Sequence, residues 1–270
     1  MKEVKLNLDA PLSQLNIRLK HLSEILKIAD IAIENISDEQ FKKYHRFVDF
    51  DVASSCKLNF SEARDIFYQW CLKNNFRDSV EYSGIFLEEC NFVCELVQAR
   101  SDNKIKAGDF NKICGENRKK FHKKTFPEKI EYLRNQYNVS SAIEDYILSL
   151  NKARNCLVHR DGVVDKIDLN ISEALKIKYR EIQIVIQPAD GSEEKIIDKP
   201  MTEATKVASS VAMRFVDYER IFKLGEQIKF SPQEHIKTIS TFWFFAQDIY
   251  RGICKYAGLT NSTGWPSDKL

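Results

Sequence analysis

Hydrophobic side chains recur in steps of three and four along most of this chain, a spacing that predicts helices. After Pro11, the residues Leu12, Leu15, Leu19, Leu22, Leu26, Ala29, Ile33 and Ile36 form one sustained heptad seam. Such a seam belongs to a long helix lying on an antiparallel neighbour, or to a subunit interface. Residues 37–59 read as a mixed connection. From Phe60 a helix is expected with Ala63, Phe67, Trp70 and Cys71 on one side, and Asn74-Asn75 reads as a break. A further helix from about Asp78 places Phe86, Cys90, Val93, Cys94 and Val97 at core spacing. Thr125-Phe126-Pro127-Glu128 is a capping box with proline at an early helical position, opening a short helix through Ile130, Leu133 and Tyr137. Ser141 and Glu144 make a second box ahead of Ile143, Ile147, Leu150, Ala153 and Leu157, and Gly162 supplies the left-handed position that stops the helix.

The period changes after Gly162. Leu175, Ile177 and Tyr179, then Ile182, Ile184 and Ile186, alternate as strand residues do, with a one-residue slip near Arg180 that predicts a bulge or bend. Pro188 to Gly191 is a turn signal, and Ile196-Ile197 is the expected returning strand of a small hairpin. Two more helices follow. One covers roughly 201–223, with Ala204, Val207, Ala208, Val211, Phe215 and Phe222 inward and Gly225 at its end. The other starts at Ser231-Pro232-Gln233-Glu234 and runs to about Gly258, with a loose, turn-rich tail beyond. The expected fold class is mainly α, with a small β-hairpin inserted after the helix that ends near His159. Residues 1–165 form a helical domain, and 166–270 add the hairpin and C-terminal helices on the same core as one compact unit.

Composition sharpens this picture without changing it. With 43% hydrophobic and 30% charged residues, and only 9 Gly and 6 Pro, long helices are favoured over a loop-rich β fold. A net charge of +2 means that any nucleic-acid surface must be local. Seven cysteines, an odd number without C-x-x-C spacing, point to a reducing cytoplasm and away from a disulfide framework. No run has the apolar length of a signal peptide or a membrane span, so a cytoplasmic protein with no membrane association is expected. Cys90 and Cys94 lie one turn apart, but no second ligand pair completes a zinc site, so they are expected as core residues and no metal or cofactor is expected. Phosphate-binding glycine loops, nucleophile elbows and H-E-x-x-H are all missing from the sequence.

Two stretches carry candidate chemistry. Arg118-Lys119-Lys120-Phe121-His122-Lys123-Lys124 is the densest positive run. It is either a solvated face or, with its interleaved aromatic residues, a grip on phosphates and a stacked base. The second is Arg154-Asn155-Cys156-Leu157-Val158-His159 at the end of a helix. At about 100° per residue, Asn155 and His159 stand nearly one above the other, while Arg154 and His159 lie about 140° apart. Those two converge only if the last turn unwinds or if a second subunit supplies one of them. Leu148 shares the Asn155 face, an apolar position that suggests a subunit surface. The plainer reading has Arg154 salt-bridging at the helix terminus while His159 caps its carbonyls.

Arginine, a polar residue directly after it, and histidine beyond four intervening residues at a helix end resemble the signature of the HEPN superfamily. The resemblance covers roughly the first 165 residues. It implies an all-helical antiparallel bundle that dimerises through the motif-bearing face. In many members it also implies a metal-independent endoribonuclease of toxin–antitoxin or antiphage systems. In that light Arg154 serves the phosphate, His159 is acid or base, and Asn155 fixes the imidazole tautomer or holds the phosphate. Arg118, Lys119, Lys120, Lys123, Lys124 and Arg160 are the candidate RNA contacts, and Glu88 or Glu89 is a candidate to orient the arginine or the histidine. The implied partners are a second copy of the chain, an RNA substrate and an antitoxin or defence component. The alternatives are a non-catalytic module that binds RNA, a nucleotide or a protein through the same face, and a pure scaffold.

Overall fold

Leu15, Leu19, Leu22 and Leu26 put one buried stripe down the first helix, α1 (Ala10–Asn35). The computed structural model describes residues 6–45, 59–101, 112–197 and 207–259. A short α2 (Asp38–His45) occupies part of the stretch read as a connection. The stripe of α1 lies along α3 (Phe60–Ser101). Pro11 and Leu15 share a groove with Phe86 and Val93, while the Tyr68 hydroxyl donates to Asp30, so the two helices run antiparallel.

No break occurs at Asn74-Asn75. Their side-chain amides donate to the carbonyls of Trp70 and Cys71, at 2.7 and 3.0 Å. Each finds its partner one turn back inside the same helix, and the competition that makes asparagine a breaker elsewhere is satisfied without leaving it. Ser79 and Ser83 repeat the device on the carbonyls of Asn75 and Ser79.

A π-helical turn, Ile113–Asn117, leads into α4 (Arg118–His122), which buries Phe121. The Thr125 box opens α5 (Phe126–Tyr137) as expected, and Asn138, at φ 55°, closes it. α6 (Glu144–His159) starts later than its box implies. Glu144 accepts from the Ser141 N–H at 3.3 Å, but the Ser141 hydroxyl donates to Asp248 at 2.7 Å and accepts from the Ile143 N–H. The reciprocal half of the box is thereby diverted to another helix. Gly162, at φ 82°, donates to the Cys156 carbonyl and closes α6.

The sheet is larger than expected, and residues 209–223 are not helical. Strands β1 (Ala174–Pro188), β2 (Lys195–Ile196) and β3 (Ser209–Lys223) form an antiparallel sheet in the order β2-β1-β3. Val207, Val211 and Phe215 are four residues apart, and a step of four suits a strand as well as a helix. What breaks the tie is β1, whose fifteen residues pair with β3 from Ala174↔Lys223 to Pro188↔Ser209 in unbroken register. No bulge interrupts it at Arg180. The apparent slip arises because both faces are apolar, at different places. Leu175, Ile177 and Tyr179 face the core, while Ile182 points to the opposite face, beside Ile239, Trp243 and Phe244. The beginning of the expected 201–223 helix and the tail after Leu259 lie outside the described residues.

Ser231 and Glu234 open α7 (Pro232–Tyr256), which buries Phe242, Phe245, Ala246, Ile249 and Ile253. Gly252 lets this helix pass so close to Val139 that a Cβ would stand 3.1 Å from its nearest side-chain atom. One hydrophobic cluster joins Leu15, Leu72, Leu133, Ile147 and Leu150 to Leu175, Tyr179, Phe222 and Phe245. Among the described residues the structure is thus mainly helical with a small antiparallel sheet. Among the described residues no helix is long and apolar enough to cross a membrane.

Candidate functional site

α6 turns Ile147, Leu150, Ala153 and Cys156 inward and leaves Asn151, Arg154 and Asn155 facing sideways. There they meet α3 at Val80, Glu81 and Gly84, and the start of α5 at Lys124, Thr125 and Lys129. Together these residues line an open cleft of about 480 Å³. Arg154 is the most constrained of them. Its Nη1 donates to Asn155 Oδ1 at 3.0 Å, its Nη2 is paired with Glu81, and its Nε is buried without a partner among the described residues. Burial, and then the charge of Arg77, hold the guanidinium below its usual pKa. An arginine anchored at two points, with further N–H donors to spare, is suited to receive an anion such as a phosphate.

Glu81 was not among the candidates read from the sequence. Glu88 was, and the two are seven residues apart, on one face of α3 and two turns along it. That spacing puts Glu81 on the face of Glu88, but its meeting with α6 depends on packing that the sequence does not show. Neither Glu88 nor Glu89 orients the motif. Glu88 accepts from Lys129 Nζ at 2.6 Å and sits 3.0 Å from His122 Nδ1, while Glu89 is paired with Arg118. Burial pushes the Glu88 carboxyl up, but the hydrogen bonds from Lys129 and His122 outweigh it and hold the group below the ordinary carboxylate range.

His159 stands apart from the cleft within one chain. It is exposed on the last turn of α6, one turn beyond Asn155, and the turn is not unwound. No hydrogen bond or ion pair engages its ring among the described residues. Leu148 is partly buried against the core, so the exposed apolar residue near the histidine is Val158.

The basic run divides. Lys119, Lys120 and Lys123 are exposed, and Arg118 lies over the Phe92 ring at 5.4 Å. Lys124 enters the cleft with Arg154 and Asn155, its Nζ 5.1 Å from the Tyr132 ring centre. Arg160 turns inward: its Nε donates to Asp168 at 2.7 Å and its Nη2 pairs with the same carboxylate, which is 2% exposed. Burial pushes the Cys94 and Cys156 thiols up to about 12, so neither is a thiolate at neutral pH. Among the described residues no cluster of three or more His, Cys, Asp or Glu is placed to hold a metal ion. The chain matches no family model, no curated protein and no solved structure.

Proposed function

We propose that this protein is a HEPN-like endoribonuclease that cleaves single-stranded RNA without a metal, at a site completed by a second copy of the chain. The observation that supports this most is the meeting of Arg154 and Asn155 with Lys124 and Lys129 in one open cleft. Arg154 and Asn155 come from the helix-end motif and Lys124 from the basic run, whereas Lys129 was not among the residues read from the sequence. In this reading a phosphate takes the free donors of Arg154, which stabilise the charge that develops when the neighbouring 2′-hydroxyl attacks. Lys124 supplies further positive charge, while the Lys129 ammonium is taken by Glu88, and Asn155 steadies the guanidinium. His159 reaches the phosphate from the partner copy, since within one chain it faces away from the cleft. It takes the 2′-hydroxyl proton as the P–O2′ bond forms and returns it to the 5′-oxygen as the P–O5′ bond breaks, leaving a 2′,3′-cyclic phosphate and a free 5′-hydroxyl. The exposed Val158 beside it gives that helix face an apolar contact for dimerisation.

The test is cleavage of a single-stranded RNA in the presence of EDTA. Arg154→Ala and His159→Ala are each expected to lower the rate about 10²-fold or more while the fold persists. Mixing the two variants is expected to restore part of the activity, because a mixed dimer then has one complete site. Wild-type protein that binds RNA without cutting it would make this a binding module. Cleavage indifferent to both substitutions would refute the assignment.

A further inference from the structure

The first candidate beyond the motif lies two turns along α3. There Glu88, only 13% exposed at its side chain, receives both Lys129 and His122, whose own side chain is 73% exposed. The imidazole is held by Nδ1, at 3.0 and 3.1 Å from the two carboxylate oxygens, which leaves Nε2 free to meet a ligand. Lys129 belongs to the cleft of Arg154, so the Glu88 cluster adjoins that cleft and does not form a separate site. Seven residues of helix set Glu81 and Glu88 about 10 Å apart along the axis. That separation is too great for one phosphate to touch both Arg154 and His122, but it suits two different phosphates of a strand laid along the cleft.

Building on the RNA reading above, we propose that His122, protonated and hung on Glu88, is a second phosphate contact of this cleft, so that binding of single-stranded RNA takes up a proton there. A neutral ring that gives its Nδ1–H to Glu88 has only a lone pair at Nε2, so a phosphate there needs the second N–H of the protonated ring. Glu88 on α3 holds the ring and Lys129 on α5 shares that carboxylate, while Arg118 is occupied by Glu89. A phosphate arriving at Nε2 adds negative charge on the other side of the ring and tips the balance toward the protonated form. The bound strand then carries one more charge-assisted hydrogen bond than it has at alkaline pH.

The experiment measures fluorescence anisotropy of a labelled single-stranded oligonucleotide with 2′-O-methyl sugars, which cannot be cleaved, at about pH 8 and about pH 6. Wild-type affinity is expected to rise about tenfold on acidification, the worth of one charged hydrogen bond. His122→Gln removes most of that rise. Glu88→Gln moves it to lower pH. A pH response unchanged in His122→Gln overturns the inference and leaves the ribonuclease reading standing. Wild-type protein that binds no RNA at either pH overturns both.

Discussion

Replacing Arg160 by alanine is expected to destabilise the fold by about 3 kcal/mol, the lower end of what breaking a buried ion pair costs. Asp168 is 2% exposed and receives four donors: Arg160 Nε at 2.7 Å, Arg160 Nη2, the Asp165 N–H at 3.0 Å, and the Cys156 thiol. Without the guanidinium, a carboxylate stays buried with one backbone N–H and a weak thiol donor. The arginine itself is partly open to water, which keeps the loss toward the low end of that range. Urea melts should show a lower midpoint for Arg160→Ala, and an Arg160→Met, Asp168→Leu double variant should recover much of it because no charge is then stranded. Burial pushes the Asp168 carboxyl up, but its hydrogen bonds hold it below its ordinary value. Its contribution is therefore complete above the usual carboxylate range and disappears as pH falls through its lowered value. If Arg160→Ala melted like wild type, the pair with Asp168 would not carry the stability assigned to it, and Arg160 would return to the proposed RNA contacts.

The second large effect concerns acid. His235 is 3% exposed on α7, neither ring nitrogen has a hydrogen-bond partner among the described residues, and burial lowers its pKa to about 4. In the unfolded chain the same ring titrates near 6.5. Between these values the unfolded chain binds the proton and the folded one does not. The stability that comes from keeping His235 neutral is thus whole above about pH 6.5 and is lost progressively as pH falls toward 4, roughly 3 kcal/mol in all. Carboxylates such as Glu88 and Asp168 act only further down, and Glu95, which burial pushes up, acts alike in wild type and variant, so the difference between the two proteins isolates the histidine. Between pH 7 and 5 wild type should lose urea midpoint relative to His235→Leu. It should also cost little at pH 7, because it removes two unsatisfied polar atoms from the core. Parallel pH profiles for the two proteins would show that the ring has a partner or water that satisfies it.

Much of the helical framework was legible because its causes lie within a few residues of one another. The leucine seam of α1 and the boxes at Thr125–Glu128 and Ser231–Glu234 each depend on side chains and backbone groups one turn apart, and the Gly162 stop reaches back only six residues, to Cys156. The divergence of Arg154 and His159 is of the same kind, since 100° per residue holds in any unbroken helix. Asn74-Asn75 misled because the same local chemistry has two outcomes, and a long helix packed on α1 selected the one that keeps the turn.

The sequence by itself determined where chemistry can occur: a guanidinium, an amide and an imidazole at one helix end, and a basic run upstream. Only tertiary structure decided who meets whom. Glu81 is 73 positions from Arg154, Asp168 claims Arg160 across a turn, and Lys124 enters the cleft because α5 packs beside α6. The strand at 209–223 was decided in the same way, by its ladder with β1. An alternation of apolar residues states what a segment is able to form, but a hydrogen-bond ladder or an ion pair needs a second segment, and the folded core alone chooses which one arrives.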